Sequence, residues 1–359
     1  MMDLIFMAKI TIKEPKGIDV SKSSLLIDQN NARHTSNISI NNPIKAITNE
    51  GLGYVRQNNN SLIEKVVSIF QIGESEEMLV VAGDAQKYWE IFTPVSDDGY
   101  LAQCFSHFIY LNKIYMYVGQ INLTTFEYDK YEIQVKNFDN QLLDRFGAKG
   151  SGNVEFNGQI ANIWIDSDKI YVADSRNGRV QKLDLDGTYD TQWAVEGITG
   201  VQVYDGKVYE CSYAYSGDYV SMPFYIHSLT GTLINSFTAT STRCFTINND
   251  IIFLGCIGEN INKYSLAGVY QGTIITPHGD SSGITSWNNI LYTSNPETEF
   301  NISKFNITTG EEIFSYGTLG YTGAINQFYY PSALRVFLYN GSYRLWIADV
   351  YNGLIKTIL

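Results

Sequence analysis

An all-β fold, a β-propeller of four-stranded blades, is what three features of this sequence predict. The first is a phrase that recurs from about residue 78 onward: an apolar strand centred on an aromatic or aliphatic residue, a polar turn, then a second strand closed by glycine. The second is its spacing. Aligned central strands place anchors at Val80, Tyr115, Tyr171, Tyr209, Phe253, Tyr292 and Trp346, about 44 residues apart on average, the length of one four-stranded blade. The third is period-two alternation, as where Leu183 and Leu185 alternate with Lys182, Asp184 and Asp186. That pattern sends successive side chains to opposite faces of a strand. A unit this small cannot bury its own face, so its copies must pack on their neighbours.

The clearest copy runs from Ile170 to Gly187, with weaker ones at Ile252–Gly268 and Leu291–Gly310. Two intervals, Tyr115 to Tyr171 and Tyr292 to Trp346, are longer, and each carries a glycine-rich loop. These loops, Arg145–Gly152 and Tyr316–Gly323, are followed by Phe156 and Phe328; their glycines suit the positive φ of tight turns. Ser61–Phe70 comes nearest to a helical stripe, but Val66, Val67 and Ile69 make it a strand. The last unit has strands near Ala333–Leu338, Leu345–Asp349 and Leu354–Leu359, and so lacks an outer strand. A propeller closes by borrowing that strand from the other terminus, which removes an exposed edge. His34–Ile40 and Pro43–Thr48 are the candidates. Seven blades fit the count, or six if Ser61–Gly99 is not a blade. The expected division is an extended arm over residues 1–60, serving assembly and ring closure, and a propeller over residues 61–359.

Composition narrows the function. The net charge is −12, with +2 on residues 1–60 and −14 on the remainder, which argues against wrapping nucleic acid. It suits a conduit whose acidic wall lets DNA slide without specific binding. The arm is rich in Asn and Ser and short of aromatics, so it is expected to order only against the propeller or another chain. Leu4–Ala8 is too short, and follows Asp3, for a secretion signal, and no run is long enough to cross a bilayer; synthesis in the cytoplasm is expected.

His34, His107, His227 and His278 show no metal-binding spacing, and no Cys-x-x-Cys occurs. No metal or cofactor is expected, although His278 is the best candidate for a place at the channel mouth. Asp184–Gly187 and Asp97–Gly99 read as turns rather than calcium loops. Cys104, Cys211, Cys244 and Cys256 are scattered and read as reduced strand residues. No nucleophile elbow or phosphate cradle appears, so no catalytic residue is assigned and the chain is read as a non-enzyme. The run from Tyr209 to Tyr225 has two readings: a well-packed hairpin, or a ligand loop in which Tyr213, Tyr215 and Tyr219 recognise glycan or protein.

Residues 146–187 resemble the repeat of NHL propellers through Phe146, Gly147, Gly150, Gly152, Val172, Ala173, Asp174, Asn177, Arg179, Val180, Asp186 and Gly187. Residues 316–355 match less fully, through Gly317, Gly320, Gly323, Phe328, Pro331, Ile347, Ala348, Asp349, Asn352 and Ile355, with Leu354 where the arginine belongs. In this resemblance Asp174, Asn177, Arg179, Asp349 and Asn352 tie turns together rather than contact a ligand. The arm is similar to that of tail nozzle (stabilisation) proteins of short-tailed bacteriophages. The similar residues are Gly17-Ile-Asp-Val, Leu25–Arg33, Ser36–Ile40 and Glu50–Arg56. That resemblance implies a virion tail component, with copies of itself in a ring and portal or adaptor proteins as partners. Gly17, Asn30, Asn31, Asn37, Gly51, Gly53 and Arg56 would form the interface. A propeller binding module of the NHL type, recognising a protein or glycan, is the alternative.

Overall fold

The computed structural model comprises two compact units, residues 1–90 and residues 91–359. In the first it describes backbone strands alone; in the second, all but residues 159–161, 214–221, 240–241, 257–259, 277–280, 297–298, 322–326, 340 and 359. In the first unit Glu77–Ala82 pairs antiparallel with Phe6–Thr11 and with Val66–Gln71. A separate sheet takes Leu25–Ile27, Ala32–Thr35, Tyr54–Arg56 and Leu62–Ile63 in that order.

The second unit consists of six four-stranded antiparallel sheets, a β-propeller. Blade one holds Tyr100–Tyr110, Lys113–Asn122, Tyr128–Lys136 and Leu142–Phe146. Blade two holds Asn162–Asp166, Lys169–Asp174, Arg179–Asp184 and Tyr189–Ala194; blade three Ile198–Tyr204, Lys207–Ser212, Met222–Ser228 and Leu233–Ala239. Blade four holds Thr242–Asn248, Ile251–Cys256, Ile261–Ser265 and Tyr270–Ile274; blade five Gly283–Trp287, Ile290–Asn295, Asn301–Asn306 and Glu312–Tyr316. Blade six holds Pro331–Tyr339, Ser342–Asp349 and Leu354–Ile358, with Ile91–Phe92 as its outer strand. The innermost strands touch in cyclic order, blade six returning to blade one.

Six anchors of the repeat, Tyr115, Tyr171, Tyr209, Phe253, Tyr292 and Trp346, each fall in the second strand of a blade. The seventh does not, so the favoured count of seven is corrected to six. Val80 lies in the three-stranded sheet of the first unit, paired with Ala8 and Ile69 rather than set in a blade. The propeller accordingly begins at Ile91, not at residue 61.

The borrowed strand is also corrected. Ile91 pairs with Lys356 and Phe92 with Ile355; His34 and Thr35 pair instead with Val55 and Tyr54, and Pro43–Thr48 lies outside the described residues. Two residues suffice because Phe92 is buried and stacks on Trp346 at 5.1 Å. The chain then runs along blade one, where Val95 N donates to Gln134 Oε1 at 2.7 Å and Asp97 N to Gln120 Oε1 at 2.8 Å.

Around the axis, short polar side chains join one blade to the next. Ser106 Oγ accepts from Ile163 N at 3.2 Å, and Thr199 Oγ1 donates to Thr242 O at 3.4 Å. Cys244 Sγ donates to Ser281 O at 3.3 Å, Ser282 Oγ to Pro331 O at 3.0 Å, and Ser332 Oγ to Phe105 O at 3.2 Å. Blades two and three are joined further out, by Trp193 Nε1 donating to Glu210 Oε1 at 2.8 Å. Such bonds satisfy strand-end groups that the sheet ladders leave over.

At the hairpin-turn face, Tyr110 Oη donates to Asp168 Oδ1 at 3.0 Å and Tyr204 Oη to Asp250 Oδ1 at 2.9 Å, the same lacing used at two blade boundaries. Blades five and six approach so closely that a Cβ on Gly283 would lie 1.4 Å from Ser332 O. Gly283→Ala is therefore expected to lower stability by about 1–3 kcal/mol through overpacking, read from urea unfolding midpoints. An unchanged midpoint would mean that the strands can part at no cost.

Candidate functional site

Each blade starts at the axis, and the starts of the inner strands surround a cavity of about 270 Å³. It lies at the ends of these strands opposite the hairpin turns. Four of the six inner strands carry a β-bulge here, at Cys104/Ser106, Ile198/Gly200, Thr242/Cys244 and Pro331/Leu334. The residues thrown out of register, Phe105, Thr199, Arg243 and Ser332 with Ala333, all line the cavity. A bulge turns a side chain away from the alternation of its strand, and here four bulges at one level aim side chains inward.

Two guanidinium groups, Arg243 and Arg335, stand in a wall that contains no Asp or Glu among the described residues. Arg335 is buried, donating through Nη1 to Leu334 O at 2.8 Å and through Nη2 to Asn162 Oδ1 at 3.1 Å. Its guanidinium carbon lies 5.1 Å from the Trp164 ring centre. Burial pushes the Arg335 pKa down to about 10, which still leaves it charged at neutral pH. Arg243 Nη2 donates to Tyr330 Oη at 2.6 Å.

Tyrosines form the rim beside the cavity. Tyr329 packs on Tyr321 at 4.6 Å and on Tyr351 at 5.0 Å, and Tyr330 on Tyr351 at 5.1 Å. Tyr321 is 67% and Tyr351 44% exposed. Tyr330 adopts a φ of +74°, strained for an aromatic residue. Backbone bonds hold this turn: Val350 N donates to Tyr330 O at 3.2 Å and Tyr351 N to Tyr329 O at 3.1 Å.

The repeat residues form a second kind of cluster, built twice. Asp174 is fully buried and accepts from Asn157 N, Asn177 Nδ2 and Arg179 Nε, each at 2.8 Å. Arg179 extends to Ser151 O, Gly152 O and Glu155 O, fixing the glycine loop. In blade six Asp349 accepts from Tyr329 N at 2.7 Å and from Asn352 Nδ2 and Lys356 Nζ at 2.8 Å. Lys356 thus supplies, two residues further along, the cation that Leu354 does not, and it too reaches the loop, at Gln327 O. Through Tyr329 this carboxylate also holds the tyrosine rim.

Of the suggested ligand loop, Tyr213 donates its backbone N–H to Gly197 O at 2.8 Å, while Tyr215 and Tyr219 lie outside the described residues. So do Gly17, Asn30, Asn31, Asn37, Gly51, Gly53 and His278. Arg56 and His34 lie in paired strands of the first unit. His227 is buried against Glu210, Nδ1 to Oε2 at 2.6 Å, and burial raises the Glu210 pKa. His107 is fully buried, with neither ring nitrogen hydrogen-bonded. Cys104 and Cys211 are buried free thiols, and burial pushes the pKa of Cys211 up to about 12. No cluster of three metal-ligating side chains occurs among the described residues, and none of their helices is long and apolar enough to cross a membrane.

No family model and no curated protein matches the chain. Among solved structures, the WD40 β-propeller domain of Doa1 is similar, with a TM-score of 0.51 and 10% identity over 76% of this chain and 97% of that one. The likeness shows the propeller fold alone. The computationally designed Ika8 protein matches at a TM-score of 0.42 and 11% identity, over 87% of this chain and 94% of its own. A chain of the nidogen/laminin complex matches at 0.46 and 11%, over 74% and 89%.

Two outcomes follow from this chemistry. Arg179→Ala and Lys356→Ala each strand a buried carboxylate, so each is expected to cost about 3–5 kcal/mol in urea unfolding. A loss below ~1 kcal/mol would mean that water replaces the cation. Burial, followed by the charge of Arg335, lowers the His107 pKa from 6.5 to about 3. The unfolded chain therefore binds the extra proton first as pH falls. The contribution of His107 to stability is complete above about pH 6.5 and is lost toward pH 3, at up to about 1.4 kcal/mol per pH unit. His107→Leu should remove that increment from the pH dependence of stability, and an unaltered slope would contradict it.

Proposed function

We propose that this chain is a non-enzymatic binding module that engages a partner protein across the propeller face onto which the axial cavity opens. The observation that carries this is the rim of stacked rings Tyr321, Tyr329, Tyr330 and Tyr351, with Tyr321 and Tyr351 exposed and Tyr330 and Tyr351 lining the cavity. Tyrosine gives large contact area with few rotors to freeze and a hydroxyl for hydrogen bonding, which is why it is enriched where proteins meet. Strain at Tyr330 and its tether to Arg243 supply the preorganisation that limits the entropic cost of binding. A propeller is compatible with such a role, since its loops converge on one face of a rigid scaffold.

The virion-tail reading puts assembly on the arm instead, with other copies of this chain as the partner. A photo-crosslinking residue at position 321 or 351, compared with one at position 289 on the hairpin-turn face, separates the two readings. Capture of one heterologous protein from positions 321 and 351 alone is expected. Against that protein the double variant Tyr321→Ala, Tyr351→Ala should bind at least about tenfold more weakly, as for two rim anchors worth about 1 kcal/mol each. Equal capture from both faces, or capture only of further copies of this chain, would contradict the proposal.

A further inference from the structure

We infer that the axial cavity is a binding site for a carboxylate group, held by Arg335 between Asn162 and the inner strands of blades three to six. This stands apart from the protein-partner reading: it concerns the cavity itself, and holds whether or not the tyrosine rim meets a protein.

Arg335 is only 8% exposed, and its Nε has no hydrogen-bond partner. Its Nη atoms meet a main-chain carbonyl and a neutral amide, so among the described residues the charge is met by dipoles and by no anion. Arg179 and Lys356, also buried, each meet a carboxylate at 2.8 Å. A desolvated guanidinium without a counter-charge is costly, and a carboxylate matches its fork of donors. The second guanidinium, Arg243, stands in the same wall, which holds no Asp or Glu among the described residues.

The rest of the wall sets the ligand class. Thr199, Ser282 and Ser332 direct their hydroxyl hydrogens to main-chain carbonyls, so donors toward the cavity come from the arginines. Val201, Ile284, Leu334 and Val350 give it apolar sides, which suit a short hydrocarbon stem rather than a multiply charged phosphate. A volume near 270 Å³ admits a small free carboxylate or the side chain of an acidic peptide, and lies at the lower limit of small-molecule pockets.

The test titrates the full chain with succinate, with succinamide, with inorganic phosphate, and with a short glutamate peptide and its glutamine counterpart, at constant ionic strength. Calorimetry gives affinity; iodoacetamide modification of Cys244, mapped by mass spectrometry, reports occupancy from the wall itself, since Cys104 and Cys211 are buried. Saturable binding of succinate that slows Cys244 modification, with none from succinamide, is expected. Binding of both succinate and the glutamate peptide, or of succinate alone, assigns a free small carboxylate. The glutamate peptide alone assigns an acidic protein side chain.

Arg335→Met should weaken binding at least about tenfold, as loss of a charge-assisted pair requires. Protection of Cys244 in the unaltered protein stands as evidence even if that variant does not fold. No protection by any carboxylate, equal protection by succinamide, tighter binding of phosphate than of succinate, or undiminished binding by folded Arg335→Met would overturn the inference.

Discussion

Everything in the propeller depends on six inner strands converging on one axis, where backbone approaches backbone with little room for side chains. Gly283 marks the closest approach, beside Ser332 O. Short hydroxyl and thiol side chains from one blade satisfy carbonyls of the next. Because the strands crowd at one level, four of them relieve the crowding with a bulge. The bulges send Phe105, Thr199 and Arg243 inward, so the packing solution that closes the ring also furnishes the cavity. Fold and candidate site have one physical origin.

Charge is distributed by the same geometry. Where a glycine loop must be anchored, a fully buried aspartate collects the main-chain amide, an Asn and a cation, as at Asp174 and Asp349. Those charges are matched within the fold, and the match fixes loop positions, including the turn at Tyr329 and Tyr330. At the axis the balance differs: Arg335 is supported by Leu334 O and Asn162 without an anion. In a protein of net charge −12, the described residues of the cavity wall thus include two guanidinium groups and no Asp or Glu.

Much of this architecture is legible in the sequence, for identifiable reasons. The second strand of each blade is apolar on both faces and centred on a large residue, so Tyr115, Tyr171, Tyr209, Phe253, Tyr292 and Trp346 announce six blades. Val80 mimics them, because a central strand flanked on both sides shows the same run of Leu and Val whatever sheet it enters. The closing strand is too short for any periodicity to reveal: Ile91 and Phe92 act through one buried ring.

Leu354 looks like a lost cation until Lys356 is seen to reach the same carboxylate from two residues on. The tyrosine rim draws Tyr329 and Tyr330 from one turn and Tyr321 and Tyr351 from two others, so no single local run marks all of it. Tyr213, from the longer aromatic run, follows the second strand of blade three. Arg335 reads as an ordinary strand residue, since its burial arises from a bulge and from neighbours in other blades.

Closure of the ring through Ile91 and Phe92 is the claim on which both cavity and rim rest, because it joins blade six to blade one. Hydrogen exchange across Leu354–Ile358, in the full chain and in Phe92→Asp, tests it most directly. Closure predicts that this segment exchanges as slowly as Arg179–Asp184, an internal strand of blade two, and that Phe92→Asp accelerates it well before the other blades. Exchange as fast as that of the exposed outer strand Leu233–Ala239, unaltered by the substitution, would contradict the account.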